Sequence, residues 1–342
     1  MVYVVYRPGL GRPRRVMRAV VQDRFGGPDV LEVRDVNVPV PEPGEVLLRV
    51  RAAGVNPIDW HYLRGEPLVM RLGEGLSKPK RQILGFEASG TVAAVGTGAS
   101  RFARGDEVWG WCDGGAFAEF VAVRADHLMP KPPQLSFEQA AGCPVAALTA
   151  LQAVRDHGNT QPGQRVLIIG ASGGVGTFAV QIAKAMGATV TGVCSTQNVD
   201  LVQSLGADEV IDYAVEDFTE SGRRYHVVLH VAGDRSFADC RRVLTREGVL
   251  VNVGGGEGSS GRLLGPGKRF LTASVMNRFV SQMVVAFIGK VNHTDGLALL
   301  DLLESRQITP VIDRTYPLVE TGAAIRYLET LRARGKVVVT IT

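Results

Sequence analysis

The first stretch of this chain able to do chemistry is a glycine-rich run, Gly170-Ala171-Ser172-Gly173-Gly174-Val175-Gly176. Glycines let a chain turn sharply and bring bare backbone N–H groups close to a ligand. Alone, such a run is also what a tight turn without a ligand looks like, so its flanks decide. Four apolar residues, Val166 to Ile169, precede it in the manner of a buried parallel strand. Thr177 to Met186 then reads as a helix stopped by Gly187. A helix N-terminus presents unpaired N–H groups and a partial positive charge, which together bind a pyrophosphate. Strand, glycine turn and helix make a dinucleotide fingerprint, with Ala171 at its first glycine position and Gly173 and Gly176 at the other two. Residues 171 to 176 are therefore expected to contact the cofactor.

The end of the next strand reports which dinucleotide fits. A site for NAD places a carboxylate about 20 residues past the fingerprint, to hold the ribose 2′-hydroxyl. This chain has Val193-Cys194-Ser195-Thr196-Gln197-Asn198 there. Ser195 does not repel a phosphate and is able to donate to one, so the expected cofactor is NADPH (NADP), with Ser195 and Asn198 among its contacts. No arginine or lysine follows directly, and Asp200 has the wrong sign. The preference is expected to be real but small.

The composition sets the frame. A chain of 342 residues, 45% hydrophobic and 21% charged, describes a globular protein of two domains or one large one. The formal charge of +4 comes from Arg7, Arg12, Arg14 and Arg15, which no acid accompanies in residues 1–16, and the remainder is neutral. That is no footprint for nucleic acid. Cys112, Cys143, Cys194 and Cys240 are widely separated, with no Cys-x-x-Cys pair. Neither a zinc knuckle nor a disulfide framework is indicated, and a reducing, cytoplasmic location is expected. The longest apolar stretch, Phe270 to Gly289, carries Asn277, Arg278, Ser281 and Gln282 at its centre, so no membrane span is expected. The first sixteen residues have arginines and no acids, as transit peptides do, but no serine, and Pro8, Gly9, Gly11 and Pro13 break any helix. A mis-set start codon or a disordered tip fits them better than a targeting signal.

The elements that must position the fingerprint follow from pattern. Residues 17–133 read as short strands and turns: Met17 to Gln22, Val46 to Val50, Ile83 to Val95, Glu107 to Gly110 and Phe117 to Val123, punctuated by Pro39, Pro41 and Pro43. This predicts an all-β, barrel-like region. Ser136 and Gln139 form a capping box that opens an alanine-rich helix around Gln139 to Ala153. Strands then alternate with helices: Arg165–Ile169, Thr189–Val193, Glu209–Ile211, His226–Val231, Val249–Val253 and Met283–Ile288. Alternation of that kind predicts an α/β, Rossmann-type, doubly wound parallel sheet covered on both faces. Such a sheet is complete by Ile288, so the tail, with a helix from Glu320 to Arg332 and a strand Lys336–Ile341, is expected to return to the first domain. The expected division is 1–16 as a disordered extension, 17–133 and 291–342 as one domain, and 134–290 as the dinucleotide-binding domain.

Several stretches resemble the zinc-free quinone oxidoreductases (the zeta-crystallin-like branch) of the medium-chain dehydrogenase/reductase superfamily. They are Ala52-Ala53-Gly54-Val55-Asn56-Pro57-Ile58-Asp59, Gly85-Phe86-Glu87-Ala88-Ser89-Gly90, Gly105-Asp106-Glu107-Val108, the fingerprint, and Leu205-Gly206-Ala207-Asp208-Glu209-Val210-Ile211-Asp212-Tyr213. The resemblance covers residues 17–342 and implies a GroES-like barrel for the first domain. It also implies that zinc-dependent members place ligands where Asn56, Phe86 and Cys143 stand. A catalytic zinc needs three protein ligands, which Asn and Phe do not supply, so no metal is expected. Cys143 reads as a buried small residue.

Without a Lewis acid for alcohol oxidation, the expected acceptor is one that is already electrophilic, a quinone or an α,β-unsaturated carbonyl. Candidate catalytic residues are Asn56, Asp59 and Tyr62. Asn56 either bonds near the nicotinamide or acceptor oxygen or serves as a turn residue before Pro57. Asp59 orients that shell, caps a helix, or both. His61 and Tyr62 are either proton donors or packed and surface side chains. Pro67 stands near the place where related enoyl-thioester reductases carry a tyrosine donor, which argues against thioester reduction. The resemblance further implies that Thr149 lies beside the nicotinamide, Tyr213 beside the adenosine phosphates, and Gly254 and Gly255 beside the nicotinamide ribose. His230 reads as a satisfied core histidine. Met283 to Ile288, an apolar strand at the sheet edge, predicts a homodimer. The rival readings are an alcohol or ketone dehydrogenase, and an NADPH-binding protein with little catalysis.

Overall fold

The computed structural model describes residues 15–253 and 281–342. The expected disordered tip, apart from Arg15 and Val16, and Gly254 and Gly255 lie outside the described residues. The first half forms β1 Val16–Val21, β2 Glu32–Asn37, β3 Glu45–Val55, β4 Glu87–Val95, β5 Glu107–Trp111, β6 Phe120–Arg124 and β7 Leu128–Pro130. The parallel sheet is built from β8 Arg165–Ile169, β9 Thr189–Cys194, β10 Glu209–Asp212, β11 Tyr225–His230, β12 Leu244–Val253 and β13 Met283–Phe287. The tail adds β14 Ile312–Pro317 and β15 Lys336–Thr340.

The parallel sheet has the order β10-β9-β8-β11-β12-β13, every pair parallel. Its order reverses between β8 and β11, and ligands of such sheets bind outside the carboxyl ends at that switch. Strand geometry sends successive side chains to opposite faces. Val166 and Ile168 of β8 accordingly join one buried cluster with Phe178 and Ile182, while Leu167 and Ile169 join another with Phe218 and Phe237. Each such side chain contributes about 1.5–3 kcal/mol by burial, which fixes β8 and the turn that follows it.

The other sheet runs β14-β15-β3-β4-β5-β7, with β6 also paired to β3. The tail strand β15 lies antiparallel to β3, Val337 opposite Val55, and β14 lies parallel to β15. A single parallel bridge joins Gly335, just before β15, to Gly173 of the fingerprint. The tail therefore touches both the Asn56 end of β3 and the glycine turn.

One expectation is corrected. The alanine-rich helix is not continuous from Gln139 to Ala153. It divides into Phe137–Ala141 and Pro144–Leu151, followed by a wide π-type turn over Gln152–His157. Ser136 does cap the first piece, its Oγ accepting from Gln139 N at 3.2 Å. Pro144 causes the break, because it has no N–H for the preceding turn and suits the first position of a new helix. The break has a consequence at the site: it frees Val145 N, near the new N-terminus, to bond elsewhere.

Candidate functional site

The glycine turn is shaped by backbone contacts. Gly170 adopts φ +86°, so the sharp left-handed turn sits one residue before Ala171. A Cβ on Gly176 would strike the Gly170 carbonyl and the Ala171 backbone, so only glycine lets the helix Gly174–Ala185 approach β8. A Cβ on Gly173 would find only Gly170 O, at 3.5 Å, which leaves room for a ligand on that side. The N–H groups of Gly174, Val175 and Gly176 open the helix and have no intrahelical acceptor. Donors and clearance of this kind fit the pyrophosphate of a dinucleotide.

At the carboxyl end of β9, Asn198 is buried and its Nδ2 donates to Ser172 Oγ at 2.9 Å and to Ser195 Oγ at 3.1 Å. Its Oδ1 is buried and has no partner among the described residues. Tyr213 is exposed, and its N–H donates to Cys194 O at 3.1 Å, which sets it beside the same corner. Asp200 lies exposed in the first turn of the helix Val199–Ser204.

The Asn56 end of β3 holds a compact buried cluster. Asn56 Nδ2 donates to Glu87 Oε1 at 2.8 Å, and Lys336 Nζ donates to Asn56 Oδ1 at 2.5 Å. Lys336 is 3% exposed and pairs with Glu87, 0% exposed, at 2.9 Å. The second Glu87 oxygen accepts from Val145 N at 2.7 Å, using the donor released by the helix break. Asp59 is wholly buried on the helix Pro57–Arg64, and its two oxygens accept from Asn56 N at 2.8 Å and Gly85 N at 3.0 Å. Burial outweighs those two bonds and pushes its carboxyl up to about 7. Asp59 thus clamps the backbone of Asn56 while Lys336 and Glu87 fix its amide.

The same cluster answers the question of zinc. Phe86 has no donor, and Asn56 is committed to Glu87 and Lys336. Cys143 is buried, its thiol donating to Gln139 O at 3.2 Å, and burial holds it well above the ordinary thiol range. An ammonium group already lies beside these positions. The donor set does not fit a tetrahedral zinc.

The structure brings Asn56 and Asp59 together but gives Tyr62 other neighbours. Its ring packs tilted against Phe86 with centroids 4.9 Å apart, and the Arg81 guanidinium lies 5.2 Å from its centre. Burial raises the Tyr62 phenol above its usual value, so it keeps its proton at neutral pH. His61 Nδ1 lies 2.9 Å from Glu66 O. Thr149 Oγ1 donates to Val145 O at 2.7 Å, and a Cβ on Gly289 would meet that hydroxyl at 2.5 Å. His230 is buried with Nδ1 3.1 Å from Asn252 Oδ1. Lys336, Glu87 and Ser172's link to Asn198 were not legible as a set. The available signals were a carboxylate inside the otherwise uncharged run 84–90 and a lysine opening the apolar strand β15.

Residues 42–133 match the family model described as alcohol dehydrogenase GroES-like domain, and residues 205–339 that described as zinc-binding dehydrogenase. The chain is 35% identical to the mitochondrial NAD(P)H oxidoreductase RTN4IP1 of Mus musculus, over 95% of this chain and 89% of that protein. It is 33% identical to the chloroplastic NADPH-dependent alkenal/one oxidoreductase of Arabidopsis thaliana, over 94% of this chain and 79% of that protein. Among solved structures, Escherichia coli quinone oxidoreductase complexed with NADPH matches with a TM-score of 0.80 and 27% identity, covering 94% of this chain and 99% of that one.

Proposed function

This chain belongs to the medium-chain dehydrogenase/reductase superfamily, in its quinone-oxidoreductase branch, and from that premise we propose that it transfers hydride from NADPH to a quinone or an α,β-unsaturated carbonyl without zinc. The observation that carries the reading is the Asn56–Glu87–Lys336 cluster. It fills the place of a metal donor set with a neutralised ion pair, so no Lewis acid is available to polarise an alcohol. Reaction then falls to acceptors already electrophilic. When bound, the reduced nicotinamide supplies the hydride.

The chain's own residues supply position. Gly174, Val175 and Gly176 offer N–H groups to the pyrophosphate. Thr149 and the loop at Gly289 line the nicotinamide side, and Tyr213 the adenosine side. Asn56 is the polar group nearest the reacting end, held by Asp59, Glu87 and Lys336. Tyr62, protonated and beside Arg81, is the candidate proton donor to the reduced acceptor. Ser195 and the absence of a carboxylate on residues 194–199 support NADPH over NADH.

The test is NADPH oxidation with a panel of quinones and enones, with and without a chelator. Turnover that the chelator leaves unchanged is expected. Binding of NADPH with no turnover on any acceptor would overturn the reading. A parallel titration of NADPH and NADH should show about tenfold tighter binding of NADPH, with Gln197→Arg raising the ratio and Ser195→Asp inverting it. Equal binding of the two by wild type refutes the cofactor assignment.

Assembly and location complete the proposal. β13 ends the parallel sheet, with Met283 54% and Ile288 60% exposed. An apolar edge of that kind supports pairing with a second copy. Among the described residues no helix is long and apolar enough to cross a membrane. The four cysteines are free and buried, which supports a reducing compartment such as the cytoplasm, and fractionation of cells tests it.

A further inference from the structure

Resting on the dinucleotide reading above, we infer that Asn198 is a positioning residue that turns Ser172 and Ser195 into a paired hydrogen-bond donor for the 2′-phosphate of NADPH. The two serines come from different elements. Ser172 lies in the glycine turn after β8, and Ser195 follows β9, the neighbouring strand. Asn198 is 6% exposed, and its N–H donates to Ser195 O at 2.9 Å, which fixes its own backbone. Its Nδ2 then spends both hydrogens on the two hydroxyl oxygens, at 2.9 and 3.1 Å.

A serine hydroxyl has one proton to give and lone pairs to receive. Asn198 takes up a lone pair of each serine. Neither hydroxyl donates to an acceptor among the described residues, so each proton is left for a ligand. A 2′-phosphate consists of acceptors only and matches two O–H donors. A ribose 2′-hydroxyl is better served by an acceptor, the role a carboxylate plays in NAD sites. The amide therefore shifts the corner towards the phosphorylated cofactor without adding any charge, in a place where no lysine or arginine follows Ser195 in residues 196–199.

The experiment measures dissociation constants of NADPH and NADH by fluorescence titration for wild type, Asn198→Ala, Asn198→Asp and Ser172→Ala. Adenosine 2′,5′-bisphosphate and AMP serve as probes that lack the nicotinamide. Asn198→Ala is expected to lower the NADPH-to-NADH affinity ratio by about fivefold to tenfold, nearly all through NADPH. The bisphosphate should weaken in step while AMP does not. Ser172→Ala should move the ratio in the same direction with little effect on folding. In Asn198→Asp a carboxylate would accept from both serines and repel the phosphate, inverting the ratio. A wild type that prefers NADPH, with a ratio unchanged in Asn198→Ala and Ser172→Ala, overturns the inference alone. Equal loss of both cofactors in the two variants also overturns it, since that marks a merely structural role. A wild type with no preference removes the NADPH reading itself and this inference with it.

Discussion

Replacing Lys336 with methionine removes one half of an ion pair that has no access to water. The partners lie 2.9 Å apart, with side chains 3% and 0% exposed. At an effective dielectric of about 20 their attraction is about 5–6 kcal/mol, most of it offset by the cost of removing both charges from water. Deletion of Lys336 forfeits the attraction and leaves that cost for Glu87. Two donors remain to Glu87, Asn56 Nδ2 at 2.8 Å and Val145 N at 2.7 Å, which moderate the penalty. The expected loss is about 3–5 kcal/mol, the range for breaking a buried pair from one side. Glu87→Gln alone should cost less, because an amide keeps an acceptor and a donor in the place of the carboxylate and Lys336 keeps Asn56 Oδ1 and Val55 O. The double variant Lys336→Met/Glu87→Gln keeps neither charge of the pair and should recover to within about 1–2 kcal/mol of wild type. The assay is urea unfolding at neutral pH for the four proteins, read as a double-mutant cycle. A coupling of at least about 2 kcal/mol is expected between directly bonded buried charges. Additive effects, or a loss below about 1 kcal/mol in Lys336→Met, would refute the reasoning.

The remaining predictions are more local. The Asp59 carboxyl, pushed up to about 7, holds a proton in the folded state that the unfolded chain has lost above about pH 4. Its contribution to stability is full below that lower value and is lost as pH rises through 7; stability should therefore fall between about pH 4 and 7 relative to Asp59→Asn, and parallel curves would exclude the effect. Asp59→Asn also supplies one acceptor oxygen for two N–H donors, Asn56 N and Gly85 N, and should cost about 1–3 kcal/mol for the bond it drops. Gly176→Ala places a Cβ against the Gly170 carbonyl and Ala171 backbone, and is expected to abolish measurable cofactor binding while Gly173→Ala leaves the fold intact; thermal melts separate the two outcomes. Met283→Lys, on the exposed edge strand β13, should convert a dimer to a monomer by light scattering, and a wild type that is already monomeric refutes the edge pairing.

The sequence by itself determined the parallel sheet and its ligand-binding turn. Both depend on short-range features: the run Val166–Ile169, the glycines of residues 170–176, and a helix that follows at once. The apolar strands fix which faces are buried, and the glycines fix where backbone comes close to backbone. It determined the poor fit to zinc as well, since Asn56 and Phe86 lack the donors whatever surrounds them. The helix break at Pro144 was also written in the chain, but the alanine-rich run around it pointed to one continuous element. Only the tertiary structure decided the polar network. Lys336 lies 280 residues from Asn56 in the chain, and Ser172 lies 26 from Asn198. Nothing in the local pattern of either residue names its partner. These pairs form because β15 returns to β3 and because β8 and β9 run parallel in register, which brings their following turns side by side. A buried charge or amide is stable only where such long-range folding supplies a partner, so its role is legible once the partner is in place.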